Sequence, residues 1–165
     1  MKKMFLAVAA VAVAAAVPAT AQTGTTVTGT ANGSIDVPLS GTLAKKCILS
    51  SFLNGPFDAL NLETTAVQGA ESLSLNCNYG GTASVTFSSA NGGAMKSGAN
   101  SLPYNFILSG SPLSSGVSLA TAQTWGGFPA VTNSAQTRSM SVQLTSAATV
   151  AGTYTDTVTV AVQPN

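Results

Sequence analysis

The 165-residue sequence has no histidine, two cysteines, one tryptophan and few charged side chains (7%). Each scarcity excludes something. Without histidine there is no Ser-His-Asp or Cys-His arrangement and no imidazole for most zinc shells, and two cysteines are too few for a thiolate cluster. The acids Asp36, Asp58, Glu63, Glu71 and Asp156 are scattered, and nothing in their spacing pairs two of them across a cleft as glycoside hydrolysis requires. Asp58 and Glu63 lie in a loop-rich stretch, where acids more often meet solvent than a substrate. The glycine pairs Gly80-Gly81, Gly92-Gly93 and Gly126-Gly127 follow no strand-to-helix pattern, so they read as turns and not as phosphate loops. No catalytic, cofactor-binding or metal-ligating residue is therefore assigned, and the chain is read as no enzyme.

What is present begins with a leader. Met1-Lys2-Lys3 is positive, an apolar run follows, and Ala19-Thr20-Ala21 supplies a small-x-small cleavage site. Residues 1–21 thus read as a secretory signal peptide; the run is too short for a membrane anchor and breaks at Pro18. Export through the Sec route is expected, with the periplasm as transit compartment, the cell surface or extracellular space as destination, and no membrane insertion after signal removal. Beyond the leader, Lys45, Lys46, Lys96 and Arg138 face five acids, which leaves no basic patch to follow phosphates, and nucleic acid is not an expected partner. In an oxidising compartment Cys47 and Cys77 are expected to form a disulfide. Closing a loop of that length stabilises by roughly 3–4 kcal/mol on the chain-entropy estimate.

The rest of the chain is β-like. Apolar and polar residues alternate over residues 35–39, 43–49, 72–77, 83–87, 104–108, 140–144 and 154–162, with Gly, Asn, Ser and Pro clusters between them. No window carries a capped 3.6-residue apolar stripe; residues 117–123 come nearest and are too short. The pattern predicts an antiparallel β-sandwich domain over residues 42–165, preceded by a Thr/Gly-rich extension over residues 22–41. In the last segment Tyr154, Val158, Val160 and Val162 share one face and threonines occupy the other. Asp156 has the parity of the valines, so it is expected near the start of the strand, within reach of backbone N–H groups or solvent. Trp125 and Phe128 are assigned to core or loop packing, the commoner fate of a lone tryptophan, in preference to a ligand-stacking patch.

Several local patterns resemble the spore coat protein U domain family, whose members include subunits of archaic chaperone-usher pili. The most specific is Ala151-Gly152-Thr153-Tyr154-Thr155-Asp156-Thr157-Val158, similar to the family's closing motif of Ala-Gly-x-Tyr-x-Asp before a Thr/Val strand. Leu102-Pro103-Tyr104-Asn105-Phe106, Trp125-Gly126 and the cysteine pair add weaker likeness. The resemblance runs over about residues 39–162. It implies an immunoglobulin-like sandwich lacking its last strand, with a hydrophobic groove filled by the N-terminal extension of the next subunit. On that implication Val27, Ala31, Ile35, Val37 and Leu39, which share one parity, are the donor-strand face, and Tyr154, Val158, Val160 and Val162 are the acceptor face. The implied partners are neighbouring subunits in a head-to-tail polymer, a periplasmic chaperone and an outer-membrane usher, in a pilus supporting adhesion and biofilm formation; no cofactor is implied. Two alternatives stay open. Residues 35–39 can pair within their own domain, a view to which Pro38 gives weight because proline lacks a ladder donor, and the chain can instead be a secreted monomeric β-sandwich serving as a binding, coat or matrix protein.

Overall fold

The computed structural model describes residues 35–51 and 55–165. The chain divides into two units, Met1–Gly41 and Thr42–Asn165. Of the first, residues 35–41 are described: they form no strand, and Ile35, Val37 and Leu39 are all exposed. The strand expected there is therefore absent from the isolated chain. The predicted signal peptide and the donor residues Val27 and Ala31 lie outside the described residues.

The second unit is built from β1 (Cys47–Ser51), β2 (Val67–Cys77), β3 (Gly81–Ser89), β4 (Ala94–Ser97), β5 (Asn100–Leu108), β6 (Val117–Ser118), β7 (Gln123–Ala130), β8 (Gln136–Leu144) and β9 (Val158–Pro164). No helix occurs among the described residues. The strands form two antiparallel sheets. One has the order β1-β2-β8-β5-β4, with β6 also paired to β5; the other has the order β7-β3-β9. Alternation decides the inward faces. Leu73 and Leu75 of β2, Val85 and Phe87 of β3, Phe106 and Leu108 of β5 and Leu144 of β8 are buried, with polar or small neighbours between them. Phe87 from one sheet meets Phe106 from the other with ring centroids 4.9 Å apart, and each such fully buried side chain contributes on the order of 1.5–3 kcal/mol of transfer free energy.

The two cysteines are bridged. Cys47 and Cys77 stand opposite each other in the β1–β2 register with Cα atoms 4.1 Å apart, so the disulfide fastens β1 to the end of β2.

Three differences from the sequence reading have physical causes. β7 occupies a stretch that Gly126, Gly127 and Pro129 made look like a loop; it is an edge strand, where a missing N–H is tolerated. Trp125 lies against Gly127 so closely that a Cβ there would sit 2.8 Å from Nε1. β4 was also unforeseen: it is four residues long, with Ala94 and Met95 both buried, so it shows no alternation. It turns into β5 through Gly98-Ala99, with Ser97 opposite Asn100 and Gly98 at φ 59°, the left-handed geometry that two-residue hairpins favour. Finally, β9 begins at Val158 and not at Tyr154. Thr155 exchanges backbone hydrogen bonds with Lys96 of β4, at 2.9 and 3.0 Å, so the chain first touches the larger sheet and then crosses to β3.

Candidate strand-acceptor groove

That crossing shapes the candidate site. β9 is the edge of the smaller sheet, and alongside it, over the inward face of the larger sheet, runs a groove of about 690 Å³. Its floor is apolar: Leu73 of β2, Met140 and Val142 of β8, and Phe106 of β5. Val158 and Val160 of β9, with Tyr154 before it, form one wall. Leu49 of β1 and Phe57 and Leu60 from the β1–β2 connection line it as well. Gly69, at φ 72°, lets the Phe57 ring rest on β2, where a side chain would collide with it. The valines of β9 and Leu49 pack on the core yet remain only half-buried.

The acceptor residues expected from the sequence are thus found together on one side of the molecule. Tyr154, Val158 and Val160 line the groove, while Val162 lies further along β9, half-buried against the core. Tyr154 donates its hydroxyl proton to the Val150 carbonyl at 3.0 Å, which fixes the ring along the wall.

Asp156 sits where the chain changes sheets and accepts four hydrogen bonds. Oδ1 receives the N–H groups of Asn91 (3.0 Å) and Thr157 (2.7 Å), and Oδ2 receives the hydroxyls of Ser89 (2.6 Å) and Tyr104 (2.7 Å). Burial first, and then the carboxylate that accepts its proton, push the Tyr104 phenol far above its ordinary value. Ser89 Oγ in turn accepts from Gly93 N–H at 2.7 Å and Asn91 N–H at 3.2 Å. A serine whose oxygen is occupied in this way, beside a carboxylate with all four bonds made, is a structural joint and not an activated nucleophile. The expectation that Asp156 would reach backbone N–H groups matches this geometry. Its partners Ser89, Asn91 and Tyr104 were not foreseen; the one sequence signal was an acid with the parity of the apolar face.

Other sequence candidates lie apart. Asp58 lines the groove, whereas Glu63 does not, and among the described residues no group of three or more His, Cys, Asp or Glu is placed to hold a metal ion. Trp125 is half-buried and packs on Phe128 with centroids 5.1 Å apart.

No curated protein and no solved structure matches this chain. The family model for the Spore Coat Protein U domain matches residues 9–161. The chain therefore belongs to the Spore Coat Protein U domain family, a structural domain associated with subunits of archaic chaperone-usher pili.

Proposed function

We propose that this protein is a structural, non-enzymatic subunit of a surface fibre assembled by donor-strand exchange. The observation that carries the reading is the groove: half-buried Val158 and Val160 stand at a sheet edge, over an apolar floor, where one further strand would complete the smaller sheet. In this reading the domain is an immunoglobulin-like sandwich lacking its last strand. Residues 1–21 are the export signal, residues 22–41 the donor extension and residues 42–165 the pilin domain. Ile35, Val37 and Leu39 are exposed and alternate with polar residues or proline, which suits a strand that adds to a neighbour's edge while its side chains fill that neighbour's groove. Such a contact joins two different surfaces, so it propagates and does not close.

An open apolar edge is prone to wrong pairing, which gives a periplasmic chaperone and an outer-membrane usher their roles before the subunit reaches the cell surface. The disulfide accords with an extracytoplasmic protein. Adhesion and biofilm formation are the functions such a fibre supports.

The test compares the mature chain with its Val37→Asp variant by size-exclusion chromatography with light scattering and by electron microscopy. Polymers from the parent and short species from the variant are expected, because the variant places a charge in a dry groove. A parent that stays monomeric, or a variant that polymerises equally well, contradicts the reading.

A further inference from the structure

The backbone of β9 specifies more than an open edge. Ala90 N–H donates to the Thr157 carbonyl at 2.9 Å, and the β3–β9 register continues without a shift through Ser89↔Val158, Ser88↔Thr159 and Phe87↔Val160 to Ala83↔Pro164. Hydrogen-bonded and non-bonded pairs alternate along an antiparallel ladder. Thr159, Ala161 and Gln163 therefore direct their N–H and C=O groups to β3. Val158, Val160 and Val162 direct theirs to the open edge. The residues that turn their side chains inward are the same ones that offer backbone groups to an incoming strand.

This coincidence restricts what can dock. A strand adjoining β9 with Ile35, Val37 and Leu39 turned inward places those side chains opposite the valines. If it runs antiparallel, opposed residues bond each other directly. The N–H groups of Ile35, Val37 and Leu39 then meet β9, and residues 36, 38 and 40 turn their backbone away. If it runs parallel, each β9 valine bonds the two neighbours of the residue opposite it, so residues 36 and 38 must supply the N–H groups. Residue 38 is proline and has none.

We propose that Pro38 is a specificity-determining residue for strand donation, selecting the antiparallel orientation of residues 35–39 of one copy on β9 of another. The inference rests on the strand-donation reading above and adds the direction. Pro38 thereby costs the β9 ladder nothing in the permitted orientation and one hydrogen bond in the other. Its position in the extension is accordingly compatible with donation, not an argument for pairing within the domain.

Cysteine cross-linking in assemblies of the full chain reads the direction. Variants carry one cysteine at position 35 or 39, and these are mixed with chains carrying one at position 158, 160 or 162. Moving the donor cysteine from 35 to 39 should shift the preferred partner toward the lower-numbered end of β9; a shift toward the higher-numbered end overturns the proposal. Assembly rates, followed by light scattering, give a second reading. Pro38→Ala should stay within about twofold of the parent, whereas Val37→Pro should assemble at least about tenfold more slowly than Val37→Ala, since it alone removes a ladder donor. Acceleration by Pro38→Ala of about tenfold, with Val37→Pro no worse than Val37→Ala, overturns it. If no position on β9 cross-links and no substitution alters assembly, the donation reading itself fails; cross-links with the opposite trend refute the direction alone.

Discussion

The centre of the sandwich and its β9 border follow the same alternation but end differently. At the centre, Phe87 and Phe106 come from facing sheets and are almost completely enclosed. At the border, Val158 and Val160 also point inward, yet they are only half-buried beside a groove of about 690 Å³. Inward-facing valine is a common feature of both; what differs is whether a further strand lies across it. The border thus has the side-chain pattern of a core and the solvent exposure of a surface. In a chain with few charges, that combination marks a place where another polypeptide belongs.

The contrast can be broken at several depths. Phe106→Ala should cause the largest loss, about 3–5 kcal/mol, because it opens a cavity in the closed centre; denaturant unfolding of the isolated chain measures it. Replacing both Cys47 and Cys77 by serine should cost roughly 3–4 kcal/mol, and the accompanying loosening should fall on β1, close to the groove, as hydrogen exchange of its amides would report.

Asp156→Asn tests the joint between the two regions. An amide cannot accept all four of the bonds that the carboxylate receives, so a loss of about 1–3 kcal/mol is expected. The Tyr104 partner adds a pH signature. Its phenol is held above the unfolded value of about 10, so its stabilising contribution is complete below that pH and declines as the pH rises further. Tyr104→Phe should flatten the alkaline part of the stability profile, measured by unfolding from pH 9 upward.

The smallest effect on the isolated chain is expected from Val160→Ala. This half-buried side chain should yield about 1 kcal/mol or less, while polymer formation falls sharply. A loss as large as that of Phe106→Ala would mean that the border is already closed in the monomer.

How much of this was legible depends on where the partners of each residue lie in the chain. β2, β3, β5 and β8 alternate so regularly that their inward residues follow from the sequence. β7 does not, because Gly126, Gly127 and Pro129 are turn residues that only an edge position converts into a strand. The start of β9 was misplaced since alternation continues through Tyr154 and Asp156, and nothing local reveals that Thr155 pairs with Lys96. The valines of the groove wall were legible from parity. Phe57, Leu60 and the Ser89–Asn91–Tyr104 cradle of Asp156 were not, because tertiary folding brings them together from distant segments. For residues 35–39, alternation tells which side chains are buried together but not which strand they meet.

The central claim is that β9 lacks a neighbour in the single chain and gains one in the fibre. Amide hydrogen exchange, resolved at Val158, Val160 and Val162 and compared between monomer and polymer, tests it most directly. Fast exchange of these three amides in the monomer and strong protection in the polymer, with Thr159 and Ala161 protected in both, is the predicted result. Protection of all five amides in the monomer, or no change on assembly, would contradict it.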